Sequence, residues 1–283
     1  MKKILITGKN SYVGKHLAKW LENWPNSYSV NLISLRDDSW KNEDFSSYDV
    51  VYHVAGIAHV KDKKVDTNKY YQINSDLTFD IAKKAKDEGV NQFIFLSSMS
   101  VYGIETGLIG KNSPLNPISN YGKSKLQAEQ RISSLENIFF KIVILRPPMI
   151  YGKNCKGNYT KLAKFATKTP IFPKINNNRS MIFIDNLSEF VKCLIDEGAT
   201  GLFFPQNNEY VNTSRMVQLI VESNGKKVVL TKIFNPLLKI FKKNRTVMKI
   251  FGTLAYDKSL STCNKKRHEN FVDFEKSISL TED

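Results

Sequence analysis

Tyr121 and Lys125 stand four residues apart in the stretch YGKSK, so a helix carrying them puts a phenol and an ammonium on one face. That pair can move a proton. An ammonium about 4 Å from a phenol, at an effective dielectric of about 20, is worth roughly 4 kcal/mol or about three pKa units. The expectation is a phenol brought from about 10 toward about 7, the range for exchanging a proton with an alcohol or ketone oxygen. The spacing alone is weak, because with 12 tyrosines in a lysine-rich chain roughly one such pair arises by chance. Position adds weight: the pair follows FLSSMSVYG, whose serines fall at the end of an apolar run, where open parallel sheets place their ligands.

A second constellation is TGKNSYVG, from Thr7 to Gly14. It lies between the strand pattern KILIT and the helix pattern SYVGKHLAKWLENW, whose Val13, Leu17, Trp20 and Leu21 share one side. Such a turn aims unpaired backbone N–H groups and the positive end of a helix dipole at an anion. Gly8 permits the tight turn, Gly14 lets the helix pack closely on the sheet, and Asn10, Ser11, Tyr12 and Val13 complete the candidate loop. Ser11 stands where a middle glycine would let backbone approach a pyrophosphate; its hydroxyl can itself bond a phosphate oxygen. The bland alternative is a strand-to-helix turn with no ligand. Further on, SLRDDSW puts Arg36 where an acidic residue would accept from a free ribose hydroxyl, which tilts the cofactor to NADP. In the alternative, Arg36 stacks on adenine while Asp37 or Asp38 holds the ribose of NAD.

Strand and helix patterns alternate from SVNLISL and DVVYHVAG through QFIFLSS to FKIVILRP, the signature of a parallel sheet covered on both faces. The segment YYQINSDLTFDIAKKAKDEG reads as one long helix with Ile73, Leu77, Ile81 and Ala85 in a stripe and Gly89 as its stop. Only about fourteen residues separate the second and third strands, room for a vestigial element at most. The expected fold is α/β, a Rossmann-type doubly wound parallel sheet with a smaller, interleaved C-terminal substrate domain. The expected boundaries are residues 1–150 with about 180–200 for the dinucleotide-binding part, and 151–179 with 201–283 for the substrate part.

Composition limits what these motifs can belong to. The 283 residues are 41% hydrophobic and 24% charged, ordinary for a globular chain. The opening apolar run stops at Thr7, too short for a secretory signal, and no run reaches the length of a membrane span. Cys155, Cys193 and Cys263 are odd in number and far apart, so a cytoplasmic chain without a disulfide framework is expected. His53 and His59 flank VAGIA without a third ligand at metal spacing; they read as a packed strand residue and a loop residue, and no metal is expected. Asp185 reads as a helix N-cap. The net charge of +15 favours anionic partners. Nucleic acid is not expected, since no zinc-finger spacing or RNP-like motif accompanies the charge. The segment KIFNPLLKIFKKNRTVMKIFGTL mixes cations with apolar residues; it reads as an element of the substrate domain, with weak peripheral contact to an acidic membrane as the minority alternative. Pro236 and Gly252 argue against one continuous amphipathic helix there.

Taken in order, TGKNSYVG, HVAG, YQIN, SSMSVYG, YGKSK, LRPPMIYG and NRSMIFIDNL resemble the extended short-chain dehydrogenase/reductases that act on nucleotide sugars, over about residues 1 to 200. The resemblance implies that Ser98 hydrogen-bonds the reacting sugar oxygen, that Tyr121 donates or accepts the proton, and that Lys125 tunes it and holds the nicotinamide ribose. It further implies that Ala55, Gly56 and Asn74 line the cofactor and that Asp44 and Phe45 meet adenine. Arg179 would clamp the substrate diphosphate, Asn158 would face the nucleotide, and a homodimer would be the usual assembly.

Two departures narrow the chemistry. Dehydratases of this group carry an acid pair just after the catalytic hydroxyl residue, because loss of water needs two more proton-transfer groups. Met99 and Ser100 stand there, at the substrate, so 4,6-dehydration is not expected. Pro148 replaces an asparagine seen in many similar 4-epimerases and offers no amide. The favoured reading is an NADP-dependent reductase of a 4-keto-hexose on a nucleotide diphosphate, UDP-linked by preference, in polysaccharide precursor synthesis. The alternative is an NAD-dependent UDP-sugar 4-epimerase; a non-catalytic dinucleotide sensor is a third.

Overall fold

A computed structural model describes residues 1–58, 67–240, 244–261 and 270–283; His59 and Cys263 lie outside the described residues. In chain order the strands are β1 (Lys2–Thr7), β2 (Tyr28–Ile33), β3 (Val50–His53), β4 (Gln92–Leu96), β5 (Gly107–Ile109), β6 (Lys141–Leu145), β7 (Met149–Tyr151), β8 (Ile171–Pro173), β9 (Met181–Phe183), β10 (Gly201–Phe203), β11 (Val229–Thr231) and β12 (Leu254–Tyr256). The helices are α1 (Tyr12–Leu21), α2 (Thr67–Tyr71), α3 (Leu77–Asp87), α4 (Asn120–Ser133), α5 (Asn158–Ala166), α6 (Ile184–Asp196), α7 (Thr213–Ser223), α8 (Asn235–Ile240), α9 (Arg245–Phe251) and α10 (Phe274–Glu282).

The chain divides into two compact units, the first comprising Met1–Gly103, Pro114–Pro147 and Ser188–Pro205. This first unit is built on a parallel sheet of order β10-β6-β4-β3-β1-β2. The sheet is buried on both faces, which is why Ile4, Leu5 and Ile6 are apolar in succession rather than in alternation. One face packs Leu5, Val51 and Phe93 against Ile81 and Ala85 of α3 and Ala128 and Ile132 of α4. The chain leaves β1 for β2 on one side and returns to β3 on the other, so the C-terminal end of β1 is a topological switch point. Between β2 and β3 there is only a 3-10 turn, Asp38–Asn42, capped by Asp37.

The expected long helix is interrupted. A π-helical turn, Gln72–Asp76, separates α2 from α3. Its wider turn shifts the phase of the buried face, so Asn74, Ser75 and Thr78 are buried with Ile81 and Ala85, while Ile73 and Leu77 of the expected stripe are only partly covered. Gly89, at φ +84°, ends the run.

The second unit comprises Ile104–Ser113, Pro148–Leu187 and Gln206–Asp283. It contains three parallel two-stranded pairs, β7 with β9, β8 with β11 and β12 with β5. Four segments fall differently from the sequence reading. Residues 104–113 belong to this unit, where β5 pairs with β12, as do residues 148–150 and 180–187, where β7 pairs with β9; residues 201–205 belong to the first, where β10 closes the edge of the large sheet beside β6. Pro236 falls in the first turn of α8 and Gly252 follows the last residue of α9. Asp185 lies inside the first turn of α6 rather than capping it, since the helix already starts at Ile184. No helix among the described residues is long and apolar enough to cross a membrane.

Candidate active site

At the end of β1 the chain turns through Gly8, whose φ of +100° an L side chain rarely adopts and whose added Cβ would lie 3.1 Å from the Ala55 backbone nitrogen. A Cβ on Gly14 would meet Ile6 Cγ2 at 2.9 Å and Val54 Cγ2 at 3.0 Å, so this glycine sets how closely α1 lies on the sheet. Ser11 has an ordinary extended backbone, φ −65° and ψ 133°, and is the N-cap of α1, its Oγ accepting from Gly14 N–H. The cap explains why serine serves where a glycine is usual: no positive φ is needed there. Capping uses the oxygen as acceptor and leaves the hydroxyl proton for an anion. Val13 is buried, the Tyr12 and His16 rings meet at a tilt with centroids 4.5 Å apart, and Asn10 is exposed in the turn.

The π turn, the end of β3 and α4 converge in the same unit. Asn74, fully buried, accepts from Ile57 N–H at 2.8 Å and donates to Ile57 O and to Ser124 Oγ, each at 3.0 Å. Lys125 Nζ donates to Leu96 O at 2.9 Å and lies 4.5 Å from the centroid of the Phe95 ring. A Cβ added to Gly56 would sit 2.9 Å from Asn74 Oδ1 and 3.3 Å from Lys125 Nζ. Gly56 is exposed, so the missing side chain leaves an open cradle in front of a buried ammonium. Together with the capped turn at α1, this arrangement fits a dinucleotide: anion-seeking N–H groups at one end and a hydroxyl-seeking cation beside bare backbone at the other.

His53 is the residue that sequence reasoning left bland, and it joins these parts. Its Nδ1 lies 2.7 Å from Thr7 Oγ1 and its Nε2 3.0 Å from Thr78 Oγ1, while Thr78 Oγ1 donates to Asn74 O at 2.9 Å. With the Thr78 proton so used, His53 donates from Nε2 and accepts from Thr7 at Nδ1. Burial, and then the charge of Lys125, push the imidazole down to about 3, so the chain of bonds is neutral.

Ser98 caps a short 3-10 turn, Met99–Tyr102, accepting from Ser100 N–H at 3.1 Å and donating to Ser100 Oγ at 3.1 Å. Met99 N–H donates to Pro147 O at 3.0 Å; Met99 is partly covered and Ser100 exposed. Ser119 caps α4 through Gly122 N–H. A Cβ on Gly122 would come within 2.6 Å of Ser100 O, so helix and turn touch through bare backbone. That contact brings Tyr121 into a hydrogen bond with Ser98.

The electrostatics differ from the expectation. Burial pushes the Tyr121 phenol up, and the bond with Ser98 only partly offsets it. Burial also lowers Lys125 to about 7, against the pull of Glu129. Desolvation leads for both groups, and neither shift has the other residue among its causes, so the lysine–phenol attraction that helix spacing suggested does not set the Tyr121 shift.

Behind the triad lies a network that the motifs did not announce. Glu129, one turn beyond Lys125, accepts from Arg146 Nη2 at 2.6 Å and from Arg146 Nε at 3.1 Å, and accepts Ser97 Oγ–H. Arg146 Nη1 donates to Tyr102 OH at 2.9 Å. The group ties the ends of β4 and β6 to α4. The i,i+4 step from Lys125 to Glu129 was the available signal.

At the end of β2, Arg36 is exposed and its guanidinium has no partner among the described residues. Asp37 accepts from Ser39 N–H and Oγ, and Asp38 pairs with Lys41 at 3.0 Å. Asp44 is exposed and bonded to Ser46. Phe45, expected with Asp44 at the adenine, has its ring fully buried in the core, and its N–H donates to Glu88 Oε2 at 2.6 Å. The two remaining candidates lie in the second unit. Arg179 Nη1 donates to Gly252 O at 2.8 Å, and Asn158 starts α5.

The doubly wound sheet with its capped glycine turn defines a Rossmann-type dinucleotide-binding α/β enzyme. Sequence comparison names the family: the chain belongs to the NAD dependent epimerase/dehydratase family, whose model matches residues 4–204. It is 30% identical to a UDP-glucose 4-epimerase of Vibrio cholerae over 290 residues, covering 90% of this chain and 87% of that protein. It is 26% identical to the N-acetyl-alpha-D-glucosaminyl-diphospho-ditrans,octacis-undecaprenol 4-epimerase of Escherichia coli O157:H7, covering 83% of this chain and 76% of the relative. The crystal structure of UDP-glucuronic acid 4-epimerase from Bacillus cereus in complex with NAD shares the fold, with a TM-score of 0.75 at 20% identity over 99% of this chain and 97% of that one.

Proposed function

We propose that this chain is an NAD-dependent 4-epimerase of a diphosphate-linked sugar. The observation that carries the reading is the hydrogen-bonded Ser98–Tyr121 pair with the buried Lys125 one helical turn on, and no carboxylate at Met99 or Ser100. That set handles one proton on one sugar oxygen and lacks the extra acid and base of a dehydratase. The 4-epimerase names of relatives at 26% and 30% identity favour epimerisation over the reduction first expected.

When bound, NAD supplies a hydride acceptor at its nicotinamide ring. The positive charge of a bound oxidised nicotinamide would favour the phenolate that burial opposes in the ligand-free chain, and Tyr121 would then take the proton of the C4 hydroxyl and later return it. Ser98 holds that sugar oxygen. Lys125, one helical turn from Tyr121, offers its N–H groups across Gly56 to the ribose. Gly8, Ser11 and Gly14 shape the pyrophosphate turn with Asn10, Tyr12 and Val13 around it, while Ala55, Asn74 and Asp44 complete the cofactor side. Arg179 and Asn158 are assigned to the diphosphate and the nucleotide on resemblance.

A second reading, an NADP-dependent 4-keto-sugar reductase, is favoured by one observation: Arg36 is unpaired among the described residues, while the carboxylates of Asp37 and Asp38 are both engaged. The test is to denature purified protein, identify the nucleotide released, and assay UDP-hexoses and a polyprenyl-diphosphate sugar for C4 interconversion with no nucleotide added. Released NAD and turnover without additive are expected. An absolute requirement for stoichiometric NADPH, with oxidised cofactor accumulating, would replace the epimerase by the reductase.

A further inference from the structure

In the second unit, β8 and β11 pair in parallel with Ile171 opposite Val229. Both side chains are exposed, while Phe172, the next residue of β8, is buried against Phe251. One face of this ribbon is therefore core and the other presents aliphatic side chains to solvent. Other exposed apolar side chains flank the ribbon: Phe165 on α5 meets Phe172 edge-on, and past the strand ends Ile233 and Ile240 are 81% and 75% exposed. Lys174 O accepts from Asn235 Nδ2 at 3.0 Å and Lys174 N–H donates to Thr231 O at 2.7 Å, which fastens the start of α8 to the ribbon.

The two stretches of the second unit that form this face are rich in cations: from residue 148 to 184 there are seven Lys or Arg and no Asp or Glu, and from 223 to 256 there are eight and none. Glu282 comes from elsewhere in the chain, accepting from Tyr159 of α5 and from Asn224. The pairing of β8 with β11 brings the two acid-free stretches together. Lys161, Lys164, Lys168, Lys174, Lys226 and Lys232 are all exposed. At the C-terminal ends of the strands a cavity of about 480 Å³ is lined by Lys174, Leu230, Lys232 and Asn235, and Asn235 Oδ1 is buried without a hydrogen-bond partner among the described residues.

We propose that this face docks on an anionic phospholipid bilayer, with the exposed aliphatic and aromatic side chains entering the headgroup boundary and the lysines meeting lipid phosphates. Polyanion binding alone would not require Ile171, Val229, Ile233 and Ile240 on the surface; interfacial insertion does. The six exposed cations named above are all lysine, the point-charge partner of a lipid surface rather than the planar stacking partner of nucleic-acid bases. The inference does not depend on which sugar the first unit processes.

Flotation of the full chain with vesicles tests it, comparing phosphatidylcholine with phosphatidylcholine containing about one third phosphatidylglycerol. Binding to the anionic vesicles only is expected, falling about tenfold or more between low and physiological salt. The double variant Ile233→Ser, Ile240→Ser, with its thermal stability checked, is expected to lose about tenfold in partition while its retention on heparin stays unchanged. Absence of binding to phosphatidylglycerol vesicles at low salt overturns the proposal. So does partition unchanged in the double variant, which would mark a surface that attracts any polyanion.

Discussion

Arg146 Nη2 lies 2.6 Å from Glu129 Oε2 inside the first unit, with the two side chains 7% and 4% exposed. A charge pair so far from water stabilises little when whole, but removing one partner leaves the other stranded. Arg146→Met is therefore expected to cost about 3–5 kcal/mol in urea unfolding, and Arg146→Met with Glu129→Leu is expected to recover most of it. If the single and double variants are equally unstable, the pair is not the source of the loss.

Gly56 faces Lys125 with only backbone between the ammonium and the open cradle. Its backbone conformation suits an L residue, so Gly56→Ala is expected to fold. The new Cβ must lie 2.9 Å from Asn74 Oδ1, an atom already held by Ile57 N–H. NAD affinity of the variant, read by calorimetry, is expected to fall about tenfold or more, about 1.4 kcal/mol. Unchanged affinity would remove Gly56 from the cofactor site.

How much of this could be read from residue order depends on what each feature needs. The turn at Gly8 and Gly14 was legible because each glycine answers a local demand, a positive φ in one case and helix-to-sheet contact in the other. The parallel sheet was legible from its run of buried apolar strands. The π turn over Gln72–Asp76 was not, since no local preference marks it and it is held by Asn74 bonding to Ile57 and Ser124, residues distant in sequence. The direction of the Tyr121 shift was misread for the same reason: spacing shows which charges are neighbours, whereas desolvation depends on what the whole fold packs around them.

Ser11 gives a way to separate capping from anion binding. As N-cap of α1 it satisfies Gly14 N–H, and glycine caps nearly as well as serine whereas alanine does not. Ser11→Ala is expected to lose about 1 kcal/mol of stability and Ser11→Gly only a few tenths, in chemical denaturation. NAD affinity is expected to survive in Ser11→Gly, where bare backbone can approach the pyrophosphate. Equal destabilisation by both substitutions would contradict the cap.

Lys125 carries a pH signature in the ligand-free protein. It titrates at about 7 when folded, below its unfolded value of about 10.4. Below pH 7 both states hold the proton, and the cost of burying the ammonium is fully present. Above pH 7 the folded state has released a proton that the unfolded state still binds, so stability rises with pH, by up to about 1.4 kcal/mol per unit. The unfolding free energy of the native chain minus that of Lys125→Met is expected to climb by about 2 kcal/mol between pH 7 and 9. A flat difference would mean that the ammonium remains charged in the fold.

His53 is expected to stay neutral where ordinary histidines titrate. Its pKa of about 3 lies below the unfolded value of about 6.5, so the unfolded chain gains a proton first and the native state loses stability as pH falls from about 6.5 toward 3. Its imidazole proton shifts in NMR are expected to be constant from pH 8 to 5, with nitrogen shifts marking the proton on Nε2. Thr78→Val would leave that N–H with no acceptor in the fold, at a cost of about 1–3 kcal/mol. Thr7→Val takes the donor from Nδ1 and is expected to cost a similar amount, since either loss leaves one buried imidazole nitrogen unpaired. A His53 resonance that titrates near 6.5 would show the imidazole open to water, and the bonds joining β1, β3 and the π turn would then not persist in solution.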